Sequence, residues 1–178
     1  MPSIHPCELP HGALLSKYQN GGAYADCYVT EMGRHVSHAE YVQAFYTTPL
    51  FKFERLLLAW FVSKSSTDAQ ASELASGKLD SFAAWSVEAR REDQLLMCDF
   101  QGRTRSWLMV IPMEGESAGG TRLYFGSAVV PAHAAGAGAQ APVLGLTFRL
   151  LLGFHKLYSR ALLFSAKSNL IQRRPGQR

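Results

Sequence analysis

Residues 143–171 read VLGLTFRLLLGFHKLYSRALLFSAKSNLI, a long run rich in leucine with cations at intervals. At about 100° per residue, Arg149, Lys156, Arg160 and Lys167 fall in one narrow stripe. Leu150, Leu151, Phe154, Leu157, Tyr158, Ala161 and Leu162 spread over the opposite side. A membrane span needs about 20 mostly apolar residues, which this stretch has in length, but its cations and His155 rule that reading out. The pattern predicts a long amphipathic helix from Val143 to about Ile171, lying on an apolar floor. Leu50–Val62 is too short for a span and carries Lys52, Glu54 and Arg55.

The floor is legible upstream as residues of period two. Tyr24, Asp26, Tyr28 and Thr30 alternate with Ala25, Cys27 and Val29, which predicts a first strand over Tyr24–Met32. Trp85, Val87 and Ala89 alternate with Ser86, Glu88 and Arg90. A turn at Arg91-Glu92-Asp93, a strand over Leu95–Phe100 and a turn at Gln101-Gly102 follow. Arg105–Ile111, a polar loop over Glu114–Gly120 and Thr121–Val130 complete a four-strand meander. An antiparallel sheet commonly buries one face, so the expected class is α+β: about five antiparallel strands under a C-terminal helix.

Between the first strand and the meander the chain carries helix starts. Ser37-His38-Ala39-Glu40 has the form of a capping box, with Val36 and Tyr41 placed to form a hydrophobic staple. Thr48-Pro49 opens a second helix, expected to reach about Val62, and Thr67 with Gln70 caps a third that closes at Gly77. The expected organisation is an irregular segment over 1–22 and one domain over 23–171. That domain holds a flexible Ala/Gly-rich loop at 132–142, and a basic, disordered tail follows at 172–178.

Composition narrows the function classes. With 47% apolar and 18% charged residues the chain has the makings of a single core. The net charge of +4 owes much to Arg173, Arg174 and Arg178 in the tail, so no nucleic-acid surface is expected. Cys7, Cys27 and Cys98 are odd in number and widely spaced, which predicts reduced thiols and neither a disulfide framework nor a metal site. No cofactor is expected, because G-x-G-x-x-G after a strand, phosphate loops and G-x-S-x-G are all missing. The N-terminus has no cationic start before an apolar stretch, so a cytoplasmic address is expected.

Four stretches carry a resemblance: Tyr46–Phe51 (YTTPLF), Gly102–Trp107 (GRTRSW), Gly120–Ser127 (GTRLYFGS) and Gly153–Ser159 (GFHKLYS). They resemble a bacterial family of uncharacterised proteins whose domain also occurs as the tail of some short-chain-dehydrogenase-like fusions. The element order over about Tyr24–Leu170 is similar to the helix-grip superfamily of START-like and polyketide-cyclase-like proteins. The resemblance implies a curved sheet gripped by the last helix and a ligand-handling role, with no activity attached.

Several residues are candidates for that role. Trp85, Trp107 and Tyr124 lie on neighbouring strands and could form one aromatic wall, or belong to the core. His155, at the edge of the apolar side of the last helix, could be a general base, a ligand contact or a structural histidine. Asp99, Arg103 and Arg105 flank a turn, where an ion pair across the hairpin or an anchor for a bound acid is expected. With Tyr158 these residues suit a pocket for an apolar or amphipathic molecule. The enzyme alternative uses His155 and Asp99 as acid and base with Arg105 holding an anion, and a third alternative makes the cationic stripe a membrane or partner surface.

Overall fold

The computed structural model describes residues 4–52, 66–115, 118–130 and 146–172, and the side chains of 146–156 fall outside that set. In chain order the elements are β1 (His5–Pro6), α1 (Ser16–Asn20), β2 (Tyr24–Met32), α2 (His38–Tyr46) and α3 (Asp68–Ala75). After them come β3 (Ser81–Phe82), β4 (Trp85–Arg91), β5 (Gln94–Asp99), β6 (Thr104–Pro112), β7 (Thr121–Val129) and α4 (Leu146–Gln172). A further helical turn occupies 49–52.

The seven strands among the described residues form one antiparallel sheet in the order β1-β2-β7-β6-β5-β4-β3. The first long strand thus closes against the last, in continuous register from Tyr24 opposite Val129 to Met32 opposite Thr121. Seven strands stand where about five were expected. The additional two, β1 and β3, are two residues long and extend the sheet at its edges. Two residues carry no period, so no alternation announces them.

The sheet buries both faces. On one, Tyr28, Met32, Leu95, Met97, Leu108, Val110, Leu123 and Phe125 join the buried side chains of α2, α3 and α4. The helices α2 and α4 pack on each other, and α4 also meets β2 and β7. On the other face, Cys27, Val29, Leu96, Trp107, Met109, Tyr124 and Ala128 are covered by Ala13 and Leu15, with Leu9, Leu14 and Tyr18 beside them. The irregular N-terminal segment is therefore the roof of the second core.

Local signals set most helix starts. Thr67 accepts from the Gln70 amide while the Gln70 side chain accepts from the Thr67 amide, a complete capping box. Thr48 Oγ1 accepts from the Phe51 amide, as expected of a cap before Pro49. At α2 the box is half made. Ser37 accepts from the Glu40 amide, but the Glu40 carboxylate takes the Arg34 guanidinium instead of turning back to the Ser37 amide, since a bidentate charged partner is the stronger one.

Two faces differ from their expected phase. A bulge between Val87 and Ala89 leaves Glu88 without a cross-strand partner, so Ala89 moves to the second core while Arg90 reaches the Leu74 and Leu79 carbonyls on the helix side. On α4, Ser159, Leu162, Leu163, Ala166, Lys167 and Leu170 are buried, whereas Leu157, Phe164 and Ile171 are 68%, 63% and 61% exposed. Lys167 belongs to no outer stripe: it is 8% exposed, and its Nζ donates to Thr30 Oγ1 on β2 at 2.9 Å. The helix is apolar on much of its circumference, so its contacts with α2 and β2 choose the buried side where the wheel alone cannot.

Among the described residues no helix is long and apolar enough to cross a membrane. The far end of the second expected helix, the loop at 132–142 and most of the basic tail lie outside the described residues.

Candidate functional site

Where β2 begins, Tyr24 and Asp26 stand clear of the filled core, and Tyr28 marks its edge. All three are on the side of β2 that faces α4, and Leu157 and Arg160 of that helix form the opposing wall. Between them lies a cleft of about 560 Å³, completed at its lip by Pro6 and Cys7. The Asp26 carboxylate is oriented from two directions: Ser127 Oγ donates to its Oδ1 at 2.6 Å and the Tyr24 hydroxyl to its Oδ2 at 3.3 Å. Arg160 sets a guanidinium across from it, donating weakly to the Ile4 carbonyl at 3.5 Å.

Both phenols are held in the protonated form. Burial first, and the Asp26 charge second, push the Tyr24 hydroxyl up, and burial does the same to Tyr28 against the opposing pull of Arg160. These groups donate hydrogen bonds and are poor proton acceptors. The cleft thus combines aromatic and aliphatic surface with one anchored anion and one cation.

No protein-family model, no curated protein and no solved structure matches the chain. Function must come from the geometry.

The aromatic residues expected to form one wall are divided between the faces. Trp85 packs against the helix-side core, as does Tyr158, while Trp107 and Tyr124 lie in the second core with ring centroids 6.5 Å apart. Period two along β6 and β7 sends Trp107 and Tyr124 away from α4, and strand adjacency alone does not report that. Trp107 is fully buried, and its Nε1 donates to Gln94 Oε1 at 2.9 Å. The same oxygen accepts from the Leu14 amide at 2.8 Å, so Gln94 clasps the N-terminal roof to the sheet.

Nor does Asp99 pair with Arg103 or Arg105 across the hairpin. Its Oδ1 accepts from the backbone amides of Arg103 and Thr104 at 2.7 and 2.9 Å, which shapes the turn before β6. Arg105 instead faces the second core. Its Nε donates to Glu88 Oε2 at 2.5 Å and to the Tyr18 hydroxyl at 2.7 Å, and its guanidinium lies 4.7 Å from the Tyr18 ring centre. Lys17 also pairs with Glu88. Alternation from Trp85 and Val87 on the helix side sets Glu88 on the second-core face, toward α1, and the bulge that follows leaves it outside the cross-strand register. Asp99 and Arg105 therefore do not meet as acid and anion holder beside α4, and the side chain of His155 lies outside the described residues.

The cluster has a pH signature. Burial pushes the Glu88 carboxyl up, but hydrogen bonds from Lys17 and Tyr18 and the Arg105 charge outweigh it and leave the group lowered. A carboxyl lowered on folding adds stability above its unfolded value of about 4.3, and that stability is lost as pH falls through the folded value. Thermal melts from pH 7 to pH 3 should therefore show a smaller acid loss in Glu88→Gln than in the parent chain. Equal losses would mean that the pairing contributes nothing in solution.

Sequence reasoning passed over Tyr24, Asp26, Arg160 and Cys7 as a group. A signal was present, since Tyr24, Asp26 and Tyr28 put three hydrogen-bonding side chains on one side of a strand otherwise fit for a core.

Proposed function

We propose that the protein binds a small amphipathic molecule in the cleft between β2 and α4. One observation carries the reading: a cleft of about 560 Å³ whose walls pair Tyr24, Tyr28 and Leu157 with the charges of Asp26 and Arg160. Ligand sites commonly measure about 300–1,000 Å³ and combine apolar walls with a few placed polar groups. An apolar body would lie along the tyrosine rings and Leu157, and a polar head would sit between Asp26 and Arg160. The helix-grip relationship belongs to this proposal. It is supported by the pairing of β2 with β7, the helices inserted after β2, and a last helix resting on the sheet.

Thermal-shift and native mass-spectrometry screens of fatty acids, sterols and aromatic acids should yield a ligand that raises the melting temperature of the parent chain. Leu157 is largely exposed, so Leu157→Asp leaves the fold intact while putting a charge on the apolar wall. Affinity for that ligand should fall at least about tenfold, the equivalent of 1.4 kcal/mol. A ligand bound equally well by Leu157→Asp and by Tyr24→Ala would place its site elsewhere and sink the proposal.

A further inference from the structure

The pairing of β1 with β2 has a chemical result at its open end. The register sets His5 opposite Val29 and Pro6 opposite Tyr28, and the next step sets Cys7 opposite Cys27, with the Cys7 amide donating to the Cys27 carbonyl at 3.0 Å. The two side chains leave the sheet on the same face, and the Cys7 thiol donates to Cys27 Sγ at a sulfur separation of 3.2 Å. Directly opposed residues of antiparallel strands have Cα atoms about 4.5–5.5 Å apart, within the range a disulfide spans. A bond length of about 2.05 Å asks for a closing movement of roughly 1 Å, which rotation of the half-exposed Cys7 side chain can supply.

We propose that Cys7 and Cys27 form a reversible dithiol–disulfide pair that staples the N-terminal segment to β2. Cys7 is the attacking thiol and Cys27 the resolving one, an assignment that follows from exposure: Cys7 is half-buried at the lip of the cleft, and Cys27 is buried behind it. The electrostatics agree. Cys27 can donate its proton toward a Cys7 thiolate, which lowers Cys7, while the Cys7 neighbour and burial raise Cys27. The cleft gives a small disulfide such as oxidised glutathione access to Cys7.

The exchange runs in two balanced steps. The Cys7 thiolate attacks one sulfur of glutathione disulfide, whose S–S bond breaks as the Cys7–glutathione bond forms and one glutathione thiolate leaves. Cys27 then gives up its proton to a glutathione thiolate or solvent and attacks the Cys7 sulfur. The Cys7–Cys27 bond forms and the second glutathione leaves. Two protein thiols have been oxidised and one glutathione disulfide reduced to two thiols. Reductant reverses both steps, because Cys7 follows the edge strand β1 and is partly exposed at the lip of the cleft.

The bond would fasten the chain that roofs the second core, and the inference stands apart from the binding reading. Its test uses the full chain carrying Cys98→Ser, equilibrated with glutathione redox mixtures and acid-quenched. Intact mass should show the loss of two hydrogens, peptide mapping should join Cys7 to Cys27, and the melting temperature should rise by roughly 5–10 °C over the reduced form. In Cys27→Ser, Cys7 should accumulate one glutathionyl group that no partner resolves. Two thiols that stay open to alkylation in fully oxidised glutathione, an unresolved adduct on the chain that retains both cysteines, or a bond only between chains would each overturn the proposal.

Discussion

Replacing Trp107 by alanine is expected to lower unfolding free energy by about 3–5 kcal/mol, the usual cost of emptying a buried aromatic site. Trp107 is 0% exposed at the centre of the second core, and its ring lies against Tyr124 and beneath the N-terminal roof. The substitution removes that volume and also the Nε1 donor to Gln94. Gln94 Oε1 keeps the Leu14 amide, so no buried acceptor is orphaned and the cavity is the larger part of the loss. Trp107→Phe should retain most of the packing and cost about 1–2 kcal/mol for the smaller ring and the missing hydrogen bond. Urea unfolding would measure both. A loss below about 1 kcal/mol for the alanine variant would place Trp107 at a loose site instead of in a core. Ligand affinity in the cleft should be unchanged by Trp107→Phe, since Trp107 and the cleft lie on opposite faces of the sheet.

The second large effect is expected at Gly126, where added volume and not lost volume is the cause. A Cβ there would meet Leu15 Cδ2 at 2.8 Å, Trp107 Cε3 at 2.9 Å and the Asp26 carbonyl oxygen at 3.0 Å. The leucine tip can rotate away, but the ring is held by Gln94 and the carbonyl belongs to the neighbouring strand. Overpacking costs about 1–3 kcal/mol, so Gly126→Ala should lose that much and Gly126→Val more. The variants also report on the N-terminal roof. Leu15→Ala opens the space that the new methyl group needs, so the double variant Leu15→Ala, Gly126→Ala should be more stable than the sum of the single losses predicts. Calorimetric melts of the four chains close the cycle. Strict additivity would mean that Leu15 does not sit over Gly126.

These two sites show how the fold was and was not legible. Period two and turn residues made β2, β5, β6 and β7 readable to within a residue or two, because half-buried strands must alternate. The capping residues Ser37, Thr48 and Thr67 were equally plain, since an unsatisfied helix start needs a local acceptor. The two-residue strands were silent, and so was the bulge at Glu88, which reverses a face without altering composition. The candidate site was half visible. Tyr24, Asp26 and Tyr28 share a side of the first strand in the sequence, but Arg160 reads there as one of four cations in a single stripe, which the burial of Lys167 breaks up.

By itself the sequence determined the class of structure: a first strand, helices, a meander and a long closing helix, all dictated by local periodicity and by caps that act within a few residues. The tertiary structure decided which way that helix turns, that residues 4–22 roof a second core, and that Cys7 meets Cys27. Each of those outcomes depends on contacts between residues far apart in the chain. Their energy comes from burying surfaces that no local pattern marks as partners, so they become fixed only when the sheet closes β2 against β7.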